Sequence, residues 1–281
     1  MEANMRSSAN PFWNGLVSMM ATPSWEIRGE AQPGSRLIPV LGIASLVAIW
    51  WIMSFRFDVA VLPSPVVAFE ETQRLMVGGE LIGHALASLF RLLAGFIIGC
   101  LIAIPVGFAM GLVPFFRRMM EPITEFFRFI PAIAMVVFAL IWFGIGESSK
   151  IFLIVYNTFF SVALATEAGV THVVPSRIHA VRSMGASQIQ VVRFVVIPSV
   201  IAYVIQGMRI SMGRAFATIV SAEILAANSG LGFLIFSARE FSKMDTVIVA
   251  IIVLGILGLV IDRLFRRFTV WLGREYLPSG I

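Results

Sequence analysis

Apolar stretches of about 20 residues recur along this chain, with shorter polar segments between them. That length carries a helix through the ~30 Å hydrocarbon core of a bilayer, where a helix satisfies its own backbone hydrogen bonds. The pattern predicts six spanning helices, at 37–54, 86–111, 123–143, 151–170, 198–225 and 246–265. The expected fold class is an all-α integral membrane protein with six transmembrane helices. In the second span Gly95, Gly99, Ala103, Gly107 and Gly111 recur every four residues, a ridge of small side chains against which another helix can pack closely. Pro105 lies within that ridge, so a kink is expected there.

The polar segments carry their own local signals. After the first span comes Leu62-Pro63-Ser64-Pro65, in which Ser64 can cap and Pro65 can start a short helix ending near Gly78-Gly79. Asn228-Ser229-Gly230-Leu231-Gly232 is a breaker followed by apolar residues 233–236, a pattern that predicts a helix folded back against the bundle. From Thr171 to Arg193 runs the longest polar interruption of the second half. Ser176 is predicted to cap a helix over 177–184, Gly185 to end it in a left-handed turn, and Ser187 to open a second helix toward Pro198.

Composition excludes a soluble domain. Of 281 residues 58% are hydrophobic and 13% charged, against roughly 25% charged in soluble domains. The pI of about 10.1 could point to nucleic acid, but the net charge of +5 is spread thinly and its clusters flank apolar spans. Placing the N-terminus in the cytoplasm puts Arg117, Arg118, Arg177, Arg182, Arg193, Arg263, Arg266, Arg267 and Arg274 inside, so both termini are expected to be cytoplasmic. The expected organisation is a cytoplasmic tail at 1–36, a six-helix membrane domain at 37–270 containing a cytoplasmic loop at 171–197, and a cytoplasmic tail at 271–281. The first tail lacks the basic start and apolar core of a signal peptide and is expected to be retained. In it Phe12, Trp13, Leu16, Met19 and Met20 could form one face of a surface helix; disorder is the alternative.

No catalytic constellation is present in the sequence. Cys100 is the single cysteine, and His84, His172 and His179 form no compact ligand set, so no metal site is expected. Gly144-Ile145-Gly146-Glu147-Ser148-Ser149-Lys150 lacks the Gly directly before Lys and the hydroxyl residue after it that a phosphate loop needs. ATP, if used, must be bound by another chain.

The 171–198 stretch resembles the shared motif of the permease subunits of binding-protein-dependent ABC importers, E-A-A, three residues, G, nine residues, I, one residue, L-P. Here it reads His179-Ala180-Val181, Gly185, then Val195-Val196-Ile197-Pro198. His179 replaces the acidic residue and Val181 the second Ala. Leu62-Pro63-Ser64-Pro65, Pro105-Val106-Gly107, the run from Trp142 to Lys150, Gly185-Ala186-Ser187 and Ala222-Glu223-Ile224 are similar to the nitrate, sulfonate and taurine branch. The resemblance covers roughly 37–270. It implies a type I ABC importer permease-like bundle in a bacterial cytoplasmic (inner) membrane. It also implies a second copy of the chain, two cytoplasmic ABC ATPase subunits that bind ATP and Mg, and an extracytoplasmic substrate-binding protein, with no cofactor in this chain. Arg177, His179, Ala180, Arg182, Ser183, Gly185, Ala186, Ser187 and Pro198 are the expected ATPase-coupling residues. The substrate implied is a small anion, with sulfonate or taurine first and nitrate, bicarbonate or an aromatic carboxylate behind. A passive anion channel or a membrane scaffold without an ATPase partner is the alternative.

Charges inside the spans complete the candidates, because each costs ~2.5 to 3.5 kcal/mol at mid-bilayer unless paired or hydrated. Arg91 is expected to snorkel from the end of its span and Arg128 to pair with Glu125, three residues away. Arg209 and Arg214 lie about 140° apart around a helix, so they cannot both face one narrow pathway. Arg128, Arg209, Arg214 and Glu223 are the candidate pathway residues; tying helices together is the competing role for the arginines.

Overall fold

A computed structural model of the chain describes residues 37–273, which are helical apart from short connections. The two tails and the surface helix expected around Phe12 to Met20 lie outside the described residues. Contacts divide the chain at Arg56. On the N-terminal side α1 spans Leu37–Ser54, the range expected from hydropathy.

On the other side α2 (Pro65–Val77) starts as its sequence predicts: Pro65 occupies the first turn and Ser64 Oγ accepts from the Val67 N–H at 3.4 Å. Gly79 then takes φ +74°, turning the chain into α3 (Glu80–Leu112), which runs uninterrupted through Pro105. Next come α4 (Pro114–Arg128), a 3-10 turn (Ala132–Met135), α5 (Val136–Phe143) and α6 (Glu147–Thr171). The segment expected as one straight span, 123–143, is instead broken, its two parts bent by 94°. Pro131 explains the break: it has no N–H for the Phe127 carbonyl and disfavours helical backbone at Ile130. The Tyr156 hydroxyl from α6 donates to that carbonyl at 2.7 Å, and the Ile130 N–H reaches it at 3.0 Å.

The glycine ridge seats α6. A Cβ on Gly95 would lie 2.6 Å from Ile154 Cβ, one on Gly99 2.8 Å from Thr158 Cβ, one on Gly107 2.5 Å from the Ala163 carbonyl and one on Gly111 2.4 Å from Val170 Cβ. Sequence numbers rise together along both helices, so α3 and α6 are parallel. The chain between them must therefore return across the bundle, and the bent α4–α5 pair makes that return.

Beyond α6 lie α7 (Pro175–Ser183), α8 (Gln188–Val191), a π turn (Val192–Val196) and α9 (Ile197–Ala226). α9 is antiparallel to α6, since Gly169 packs on Tyr203 and Gly207 on Ala165. The π turn precedes Pro198: with no N–H there, the ladder shifts register, and the Ile197 N–H donates to the Val192 carbonyl. Finally α10 (Leu231–Glu240) folds back as the breaker predicts, packing on α3, α9 and α11 (Met244–Gly273), which runs past its expected end at 265.

Four helical stretches are long and apolar enough to cross a membrane, namely α3, α6, 188–225 and α11, and the bent pair brings the candidates to five among the described residues. The outside of the bundle is apolar, as lipid requires: Leu101, Val137, Ile141 and Leu259 are each at least 60% exposed.

Candidate functional site

Three arrangements stand out, at the middle and at opposite ends of the bundle. The first is a cavity of about 660 Å³ between the α4–α5 break, α6 and α9. The break delivers Arg128 to its rim, over the Phe129 ring at 4.7 Å and 3.8 Å from Glu125. From α9 comes Arg214, whose Nη1 donates to Ser161 Oγ at 3.3 Å. Asn157, Gln206, Tyr156, Phe160 and Tyr203 complete the polar and aromatic lining, and no carboxylate lines it. Arg209 turns the other way, 4.0 Å from Asp262 of α11, as its 140° offset from Arg214 demands.

The second is the 171–198 element. Helix α7 begins at Pro175 with Val174 at the cap, so Ser176, expected as the cap, lies inside the first turn; proline's fixed φ suits the first helical position and takes the start. Gly185 ends the turn at φ +83°. Ser187 caps α8 in a reciprocal capping box, its Oγ accepting from the Gln190 N–H while the Gln190 side chain accepts from the Ser187 N–H at 2.8 Å. Ile178, Val181 and Ala186 pack on a cluster of Val170, Val173, Val191, Val195 and Val196, which fastens the element to the ends of α6 and α9. Its other face is open: Arg177, His179, Ala180, Arg182, Ser183, Gly185 and Ser187 are exposed, as are Met184 (78%) and Ile189 (79%). Pro198 is half-buried at the start of α9.

The third, which sequence reasoning did not find, is a buried ion network at the opposite end. Arg91, expected to snorkel, is instead 2% exposed. Its guanidinium donates to both Glu147 oxygens at 2.5 and 2.8 Å, to Glu223 Oε1 at 2.7 Å, and to the carbonyl and hydroxyl of Ser229 at 2.6 and 2.7 Å. Glu223 is wholly buried and also accepts from Ser88 Oγ at 2.8 Å and from the Gly232 N–H at 2.9 Å. Lys150 reaches Glu147 at 3.1 Å. Two cations thus face two carboxylates: Arg91, Lys150 and Glu223 are buried, while Glu147 at the edge keeps half its side chain exposed. Gly230 closes the loop over Glu223 at φ +114°, where any Cβ would lie 2.3 Å from the carboxylate. Glu223 therefore joins α9 to α3 and does not line the cavity. The signal available in sequence was the set of charges in or beside apolar spans; their pairing was not legible.

Among the described residues no three His, Cys, Asp or Glu side chains are grouped as metal ligands. Residues 95–272 match the family of binding-protein-dependent transport system inner membrane components. The chain belongs to that family. It is a permease, the non-catalytic membrane subunit of an ABC importer, a system that also requires a binding protein and an ATPase. The permease is 40% identical over 225 residues to a probable ABC transporter permease of Brucella melitensis, covering 79% of this chain and 92% of that one. It is 38% identical over 242 residues to the taurine transport system permease protein TauC of Escherichia coli, covering 82% and 88%. A chain of the inward-facing MetNI methionine ABC transporter shares its fold, with TM-score 0.55 and 21% identity over 70% of the permease and 98% of that chain. The family resemblance read from His179-Ala180-Val181, Gly185 and Pro198 is therefore correct.

Proposed function

We propose that this permease is one half of a homodimer that passes a small anion inward through a six-span subunit, driven by an ATPase docked on the 171–198 element. The sixth span is α1, whose 18 residues extend roughly 27 Å at helical rise. Both termini are cytoplasmic, as the arginine-rich connections favour. The carrying observation is the continuous helix that runs from the Ser187 cap to Arg214 in the cavity. It gives a docked partner a rigid route to the pathway, and the exposed face of Arg177, His179, Ala180, Arg182 and Ser183 is the surface it would grip. Gly185, Ala186 and Ser187 shape the turn, and Pro198 sets the register of the rod.

An anionic group on the substrate is suggested by Arg128 and Arg214 sharing a cavity without a carboxylate; the relative in Escherichia coli is named for taurine, whose sulfonate end is such a group. Glu223 and Arg209 serve structural pairing on this reading. Deleting residues 177–187 is expected to leave the spans inserted while the ATPase no longer co-purifies; retained co-purification overturns the docking assignment. Arg214→Gln is expected to abolish uptake while the complex still assembles, and loss of assembly in place of uptake overturns the pathway role.

A further inference from the structure

The cavity carries more information than its charge. Tyr156 and Phe160 project from α6, Phe129 from the α4–α5 break and Tyr203 from α9, so aromatic side chains from three elements surround it, with Ile130, Leu164 and Ile210 between them. The wall is stiff: the Tyr156 and Phe160 rings pack edge to face at 5.1 Å, Phe160 stacks on Phe127 at 6.2 Å, and the Tyr156 hydroxyl is anchored on the Phe127 carbonyl. Against this wall stand two guanidinium groups and the amides of Asn157 and Gln206. The Asn157 Nδ2 is buried and has no hydrogen-bond partner, a donor left for something in the cavity to accept.

We infer that this cavity is a binding site for an organic anion carrying a flat aromatic body, its acid group held by Arg214, Arg128 and the Asn157 amide and its ring lying on Phe160 and Tyr203. The inference rests on the anion pathway proposed above and narrows its substrate class. A volume of about 660 Å³ is far larger than an inorganic anion needs, and falls among the ~300 to 1,000 Å³ pockets that take small organic molecules. An amino-sulfonate is disfavoured, because no carboxylate lines the cavity to receive its ammonium group and the two arginines repel it. Aromatic faces attract an isolated cation, but here Arg128 already lies over Phe129.

The test is calorimetric titration of the purified permease–ATPase complex in phosphatidylcholine nanodiscs, whose headgroups carry no net charge to compete. Benzenesulfonate, methanesulfonate and taurine are the probes. Benzenesulfonate is expected to bind about tenfold or more tightly than methanesulfonate, since a ring buried on aromatic walls contributes area and ring packing together, and taurine to bind more weakly than either. Phe160→Leu is expected to weaken benzenesulfonate alone, whereas Asn157→Leu and Arg214→Gln weaken both sulfonates. Equal affinity for the two sulfonates, or no selective loss in Phe160→Leu, overturns the aromatic assignment and leaves the anion pathway standing. Unchanged sulfonate binding in both Asn157→Leu and Arg214→Gln overturns the cavity as an anion site altogether. Each variant is accepted only when its ATPase co-purifies, and the variants in Asn157 and Arg214 test the acid end independently.

Discussion

Arg91 Nη1 lies 2.7 Å from Glu223 Oε1, with side chains 2% and 0% exposed, although 132 residues separate them in sequence. Removing one member of a buried pair strands the other, at about 3–5 kcal/mol. The two losses are unequal. Without Glu223, Arg91 keeps Glu147; without Arg91, Glu223 keeps only Ser88 and the Gly232 amide. Arg91→Ala is therefore expected to lower the thermal midpoint of the purified permease more than Glu223→Ala, and the reverse order refutes the network as drawn.

The small-residue ridge makes a second prediction. Gly107→Val drives a side chain into the Ala163 carbonyl, 2.5 Å from the position of its Cβ, and overpacking of this kind costs about 1–3 kcal/mol. Gly213 has open space around the same position, so Gly213→Ala is expected to be neutral or to gain up to about 1 kcal/mol of helix propensity. Midpoints from thermal unfolding in detergent check the contrast.

Much of the fold was legible wherever the determining residues are neighbours in sequence. Ser64-Pro65 fixed one helix start, Gly185 and Ser187 a turn and a cap, and the four-residue spacing from Gly95 to Gly111 a close seat for another helix, though not that α6 would take it. Ser176 was misjudged because Pro175 competes for the same start. The broken span was missed for a different reason: hydropathy measures how apolar residues 123–143 are and carries no direction, while Pro131 redirects the chain and Tyr156, from another helix, donates to the Phe127 carbonyl that it frees. Arg91 looked like a surface cation for the same non-local reason, since Glu147 and Glu223 come to it from two other helices. For the cavity, charge type was readable at Arg128 and Arg214, but not the aromatic wall opposite.

Tyr156→Phe tests that carbonyl contact. Losing a 2.7 Å hydrogen bond at the break is expected to cost about 1 kcal/mol and to loosen the position of Arg128. Uptake should fall more than complex yield; an equal fall in both would mean that the hydroxyl matters for assembly alone.

Glu71 gives a pH prediction outside the spans. Hydrogen bonds from Arg74 and, secondarily, from Thr246 Oγ1 at 2.6 Å hold its carboxyl below the ordinary value of 4.5 despite burial. A depressed value means stability that is fully present above about 4.5 and lost as pH falls through the folded-state value. The link between α2 and α11 is therefore expected to weaken in acid. Thermal midpoints followed from pH 5 downward, below about 4.5, should decline less steeply in Glu71→Gln than in the parent; equal slopes there would exclude Glu71 as the source.

The register shift before Pro198 has a mechanical outcome. Because the π turn spares the chain a break, residues 188–225 form one rod of 38 residues, roughly 57 Å long, with Gln206 and Arg214 along its shaft and Glu223 near its far tip. On the docking proposed above, a push applied at Ser187 would enter one continuous helical stretch. On that proposal, tilting the stretch would move the arginine in the cavity and load the distant ion cluster together, because Arg214 and Glu223 stand on the same helix.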